Sequence, residues 1–167
     1  MRRAASFALA LALVGCVPYT LGARPMGTFV GSVDLRWLYE DTFLFVPDDD
    51  LPFLFVRPNG EVIRPGPMVT DGGSVPRAFW PFRGYSPWAF APAYVLHDWM
   101  FQARHCGFHP PDTHTFDDSV AVFAEALATL MASRPRAGDE QVFVDLVAAA
   151  ASPFARYHWH HGVCRGP

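Results

Sequence analysis

The hydrophobic period of this chain changes once, and that change restricts the fold more than any other feature. Before residue 70 the apolar residues come in short aromatic and β-branched runs. Residues 28–37 alternate loosely through Phe29, Val33, Leu35 and Trp37, and the runs 42–46 and 52–56 are bounded by Pro and Asp. "RPNGEVIRP" reads as a hairpin, because Pro58-Asn59-Gly60 is turn chemistry. After residue 86 the apolar positions take helical spacing. Pro92 suits a first helical turn, and helix formers continue from 93 to 104. Thr115 is placed to cap a second helix, with Asp117 and Asp118 at its positive end and Val120, Phe123, Leu127, Leu130 and Met131 as its stripe. Asp139 is placed to cap a third, carrying Val142, Phe143, Leu146 and Val147, and Pro153 interrupts before "FARYHWHHGVC". Strands first and helices after predict an α+β fold: an antiparallel sheet with hairpins in the N-terminal half, and three to four helices packed on it from the C-terminal half.

The first residues read as an address. Arg2 and Arg3 precede an apolar run, residues 4–14, that is short of the ~20 residues a spanning helix needs. The run ends in Leu13-Val14-Gly15-Cys16, which resembles a bacterial lipobox, cut before the cysteine and lipidated on its thiol. Residues 1–15 are then a lipoprotein signal, residues 16–27 a lipidated tether, and residues 28–167 a single globular domain. Val17 stands where an aspartate would mark inner-membrane retention, so the expected location is the periplasmic face of the outer membrane, with the membrane as partner through Cys16. Only Cys106 and Cys164 remain, and an oxidising compartment favours a disulfide between them.

Charge narrows the function classes. The formal net charge is −3, all 13 basic side chains are Arg, and no basic stripe exists, which argues against nucleic acid as a partner. Loss of Arg2 and Arg3 with the signal takes the charge to −5. There is no phosphate-binding glycine loop, no Gly-x-Ser-x-Gly elbow and no His-Glu-x-x-His. His158, His160, His161 and Cys164, with His105, Cys106 and His109, have the chemistry of a zinc site, but their spacing fits no standard finger.

Two stretches carry polar groups in apolar surroundings. In "VTDGGSVPRAFW", Gly72 and Gly73 let the backbone turn sharply after Asp71, Ser74 is able to cap a short helix with Pro76 in its first turn, and Arg77 follows. In "YVLHDWMF", His97 and Asp98 are adjacent on a helix and point about 100° apart, so they flank a third group rather than share a ligand. A half-buried His or Asp needs a partner. Asp71 is the candidate, and a carboxylate beside His97 would raise the imidazole pKa. Asp71, His97, Asp98 and Arg77 are therefore the candidate catalytic residues. No cofactor is implied beyond a divalent metal ion, for which Asp71, His97 and Asp98 would be the ligands.

"TDGGSVPRAFW", followed some twenty residues later by "APAYVLHDWMF", resembles the bacterial and phage family called domain of unknown function 1353. The matching positions are Thr70, Asp71, Ser74, Val75, Pro76, Arg77, His97 and Asp98, and the likeness runs over roughly residues 28–162. The resemblance implies a fold and a site, and no reaction. Two readings follow. One is a small envelope hydrolase using an Asp/His/Asp site. The other is a non-catalytic structural or interaction lipoprotein in which the same residues form a buried polar network.

Overall fold

A computed structural model of the chain describes residues 20–110 and 113–166. The signal segment and Cys16 lie outside the described residues. Six strands are followed by four helices: β1 (Thr28–Val30), β2 (Leu35–Tyr39), β3 (Thr42–Phe45), β4 (Leu54–Val56), β5 (Val62–Ile63), β6 (Met68–Thr70), α1 (Ala91–Cys106), α2 (Phe116–Ser133), α3 (Asp139–Ala150) and α4 (Pro153–His161). The fold is α+β, and the strands divide into two small antiparallel sheets, ordered β1-β4-β5 and β2-β3-β6. The alternating run 28–37 is broken after Val30, so its two halves join different sheets.

The hairpin forms where its turn residues stand: the Gly60 N–H donates to the Arg57 carbonyl, and β4 pairs with β5. Arg57 then clamps this hairpin to α2. Its guanidinium donates to both Glu125 oxygens, at 2.8 and 2.9 Å, and to Glu61 at 2.6 Å. Such a bidentate pair fixes orientation as well as charge.

Thr115 caps α2 in a reciprocal box: its Oγ1 accepts from the Asp118 N–H, and Asp118 Oδ2 accepts from the Thr115 N–H. Asp139 does not cap α3. Gly138 holds that position in the left-handed region, and Asp139, one residue later, accepts from the Arg136 N–H. Pro153 opens α4 at its first position behind Ser152, whose hydroxyl accepts from the Ala155 N–H.

Phe45, Phe55 and Met68 from the strands and Phe53 just before β4 meet Leu96, Leu127, Phe143 and Trp159 from the helices in one buried cluster. Each such side chain contributes roughly 1.5–3 kcal/mol when withdrawn from water. The segment before β1 is also packed down: the Leu21 N–H donates to Glu140, and the Gly27 N–H to Thr129. A Cys106–Cys164 disulfide, with Cα atoms 4.7 Å apart, ties the C-terminal tail to the end of α1. Among the described residues no helix is long and apolar enough to cross a membrane.

Candidate functional site

The site lies where β6 runs into the face of α1. Side chains alternate along a strand, so Thr70 and Asp71 point to opposite sides. Thr70 is buried and Asp71 is exposed. The Thr70 hydroxyl donates to Asp98 Oδ2 at 2.6 Å and accepts from the Gly72 N–H at 3.0 Å, which joins strand, turn and helix through one oxygen.

The two glycines are both required by space. Gly72 has φ +79°, and a Cβ there would stand 2.4 Å from the Pro87 carbonyl oxygen. Gly73 lies flat against Tyr94, where a Cβ would meet the ring at 2.6 Å. The turn is thereby pressed onto α1, and the Gly73 N–H donates to the Pro87 carbonyl. Tyr94 and Asp98 are one helical turn apart and share the face that receives it.

Burial shifts all three polar side chains of this face toward their neutral forms. Burial pushes the Asp98 carboxyl from 3.8 up to about 7; the Thr70 hydrogen bond opposes that rise, nearby Asp71 adds to it, and Arg165 opposes it. Burial takes His97 the other way, down to about 4, so the imidazole is neutral near pH 7. Burial also raises Tyr94. His97 packs between Phe101 and Phe123, with ring centroids 4.9 and 5.1 Å away, and Tyr94 stacks on Phe123 at 5.8 Å. His97 Nε2 and Tyr94 Oη are sealed from solvent with no hydrogen-bond partner among the described residues. Arg165 is brought to Asp98 by the tail: Cys164 is bridged to Cys106, and Gln102 Nε2 donates to the Arg165 carbonyl.

Of the expected site residues, the structure brings Asp71 and Asp98 into electrostatic range. It makes no hydrogen bond between Asp71 and His97, and the expected rise in the His97 pKa is corrected to a fall, because aromatic rings and not a carboxylate surround the imidazole. Arg77 is turned elsewhere: it pairs with Asp41 at 2.8 Å on the surface and lies over Trp80. Ser74 caps nothing, since the 3₁₀ turn Arg77–Phe79 begins behind Pro76 without a side-chain cap. Among the described residues no three His, Cys, Asp or Glu side chains converge as metal ligands, so Asp71, His97 and Asp98 do not make a three-ligand set, and neither does the histidine-rich tail. Sequence reasoning missed Thr70 as the hinge of the network and Arg165 as its cation. Strand alternation held the signal for Thr70. Nothing local announces Arg165, which arrives only through the disulfide.

Two grooves of the described surface, of about 480 and 320 Å³, lie along the start of α3 and not beside Asp98.

A family model described as a protein of unknown function (DUF1353) matches residues 51–160, a span that contains both the Asp71 turn and the His97-Asp98 helix. No curated protein and no solved structure matches the chain.

Proposed function

The chain belongs to the DUF1353 family of proteins of unknown function, and from that premise we propose that it is an envelope lipoprotein whose Asp98 and Asp71 form a two-carboxylate acid–base site for hydrolysis. The observation that carries this reading is the unlike placement of the two acids. Asp98 is held by Thr70 in a desolvated niche and keeps its proton to about pH 7, while Asp71 stands in solvent at the mouth of the same turn. Environments that push two acids apart assign a proton donor and a proton acceptor. Asp98 gives its proton to the leaving atom as the scissile bond breaks, and Asp71 takes a proton from the attacking water. His97 is neutral and packed among aromatic rings, and it does not serve as the base.

The lipid anchor is Cys16, on the periplasmic face of the outer membrane. The Arg-Arg and Leu-Val-Gly-Cys pattern supports this, and a disulfide between the two remaining cysteines suits an oxidising compartment.

A second reading has its own observation. The Thr70–Asp98 bond and the Gly73–Tyr94 contact join sheet to helix, and the two grooves at the start of α3 do not touch them, as in a network that only fixes the junction. The experiment is a hydrolysis screen of the purified full-length protein on glycoside, ester and peptide substrates, repeated with Asp98→Asn and Asp71→Asn. The acid–base reading expects a pH–rate profile with an arm near 7 that Asp98→Asn removes. Turnover that both variants retain at the wild-type level, with the same profile, excludes these two acids as the catalytic pair.

A further inference from the structure

Asp98, Gln102 and Cys106 stand at every fourth position of α1, so they form one strip, a helical turn of about 5–6 Å between each. The C-terminal tail runs back along this strip. Cys164 is bridged to Cys106, Gln102 Nε2 donates to the Arg165 carbonyl, and the Arg165 guanidinium lies within electrostatic range of Asp98. One residue past the bridge the tail has therefore reached the level of Gln102, and the Arg165 side chain has one turn left to span. Gln102 is 6% exposed beneath it. A buried amide needs a partner, and the tail carbonyl supplies one.

The tail is lightly held. α4 ends at His161, and Gly162 lies against the His105 ring. Beyond that point, among the described residues, the bridge and the Gln102 bond are the ties that hold residues 163–166. Val163 is 72% exposed, and Cys164, Arg165 and Gly166 are exposed as well. The core owes these residues nothing, so they are able to leave without unpacking it. Cys164 also presents its side of the bridge to solvent, and exposed bridges are the ones that thiols open.

We propose that residues 163–166 are a strap over the Asp98 niche, and that a dithiol releases it. One thiolate of the dithiol attacks Sγ of Cys164, the S–S bond breaks, and Cys106 leaves as a thiolate that takes up a proton. The second thiolate of the dithiol attacks the mixed bond and frees Cys164, which is protonated in turn. Two electrons pass to the cysteines, and the dithiol departs as a disulfide. The remaining Gln102 bond is a single neutral hydrogen bond, too weak to hold four residues against their freedom in solvent. Arg165 then leaves Asp98, and water reaches the carboxyl past Gln102, while the Thr70 bond stays in place. The strap is a property of the niche alone. Its consequence for turnover, admission of substrate to Asp98, rests on the acid–base reading above.

The test uses the full-length protein, bridged and after reduction with dithiothreitol, with the free thiols of Cys106 and Cys164 counted by mass. Relaxation of the Asp98 carboxyl carbon by a water-soluble gadolinium chelate, followed by NMR, reports solvent access. It should rise at least about twofold on reduction while far-UV circular dichroism stays unchanged, as expected of a local opening. Cys106→Ala with Cys164→Ala should show the raised value without dithiothreitol and no response to it. Relaxation that stays at the bridged value once both thiols are free overturns the strap. Loss of helix signal on reduction of the wild type also overturns it, because the bridge is then a staple of the whole fold. A rise in relaxation with no turnover of any screened substrate supports the strap and counts against the acid–base reading alone.

Discussion

Asp98→Asn separates a working acid from a structural one, because the two roles predict opposite signs for stability. In the folded protein the Asp98 carboxyl titrates near 7, against 3.8 when exposed. Its folded pKa is raised, so the folded state binds the proton more tightly than the unfolded state between those values. The stabilisation is complete below pH 4 and is lost as pH rises through about 7. At about 1.4 kcal/mol per tenfold, the gap amounts to about 4 kcal/mol, and we discount it to about 2–4 kcal/mol because Asp98 keeps some contact with solvent. Asparagine has nearly the shape of the protonated acid, presents an oxygen to the Thr70 hydroxyl and never ionises. The variant should exceed the wild type by about 1–2 kcal/mol at pH 5 and by about 2–4 kcal/mol at pH 8. Urea unfolding of both proteins from pH 5 to 8, disulfide intact, measures this; groups remote from position 98 titrate alike in the two, so their difference isolates Asp98 together with its electrostatic neighbours Asp71 and Arg165. Parallel stability curves, or a variant weaker than the wild type at pH 8, would refute both the raised pKa and the strained-site argument built on it.

Thr70→Val removes the hydroxyl that holds Asp98 and leaves the Gly72 N–H without its acceptor; stability should fall by about 1–3 kcal/mol in urea, and the Asp98 carboxyl carbon followed by NMR should titrate above its wild-type value. Gly73→Ala forces a methyl into the Tyr94 ring and should cost about 1–3 kcal/mol, with altered near-UV circular dichroism from the displaced tyrosine. Cys106→Ala with Cys164→Ala opens a loop closed across 58 positions, and denaturant unfolding should show a loss of up to about 4 kcal/mol that reductant reproduces in the wild type but not in the variant.

Local chemistry was legible where it acts over a few residues. The Pro58-Asn59-Gly60 turn and the Thr115 cap stand where their local chemistry put them, and the two cysteines left after Cys16 are bridged as an oxidising compartment favours. The division of the strands between two sheets was not legible, because pairing across twenty or more residues is decided by packing and leaves no period to read. Asp139 was misplaced by one residue for a similar reason: Gly138 takes the left-handed turn, and an acid just inside the helix satisfies the same positive end. At the site, both motifs pointed to the right junction. The partner of the helix was nevertheless misassigned by one position, to Asp71 instead of Thr70, because the turn was read for its conspicuous acid and not for the strand that feeds it.

That one-position shift changes what the junction is able to do. Had Asp71 faced inward against His97, the result would be an ion pair, with the imidazole charged and both groups committed to each other. With Thr70 inward, His97 stays neutral among aromatic rings, Asp98 is left holding a proton near neutrality, and Asp71 is free in solvent. A purely structural junction at position 98 needs the Thr70 hydrogen bond and not an ionisable group. Asparagine would keep the Thr70 hydrogen bond without the loss of stability that ionisation brings above pH 7. Under the acid–base reading proposed above, the acid's distinct contribution there is its proton, held to about pH 7 within electrostatic range of a second carboxylate.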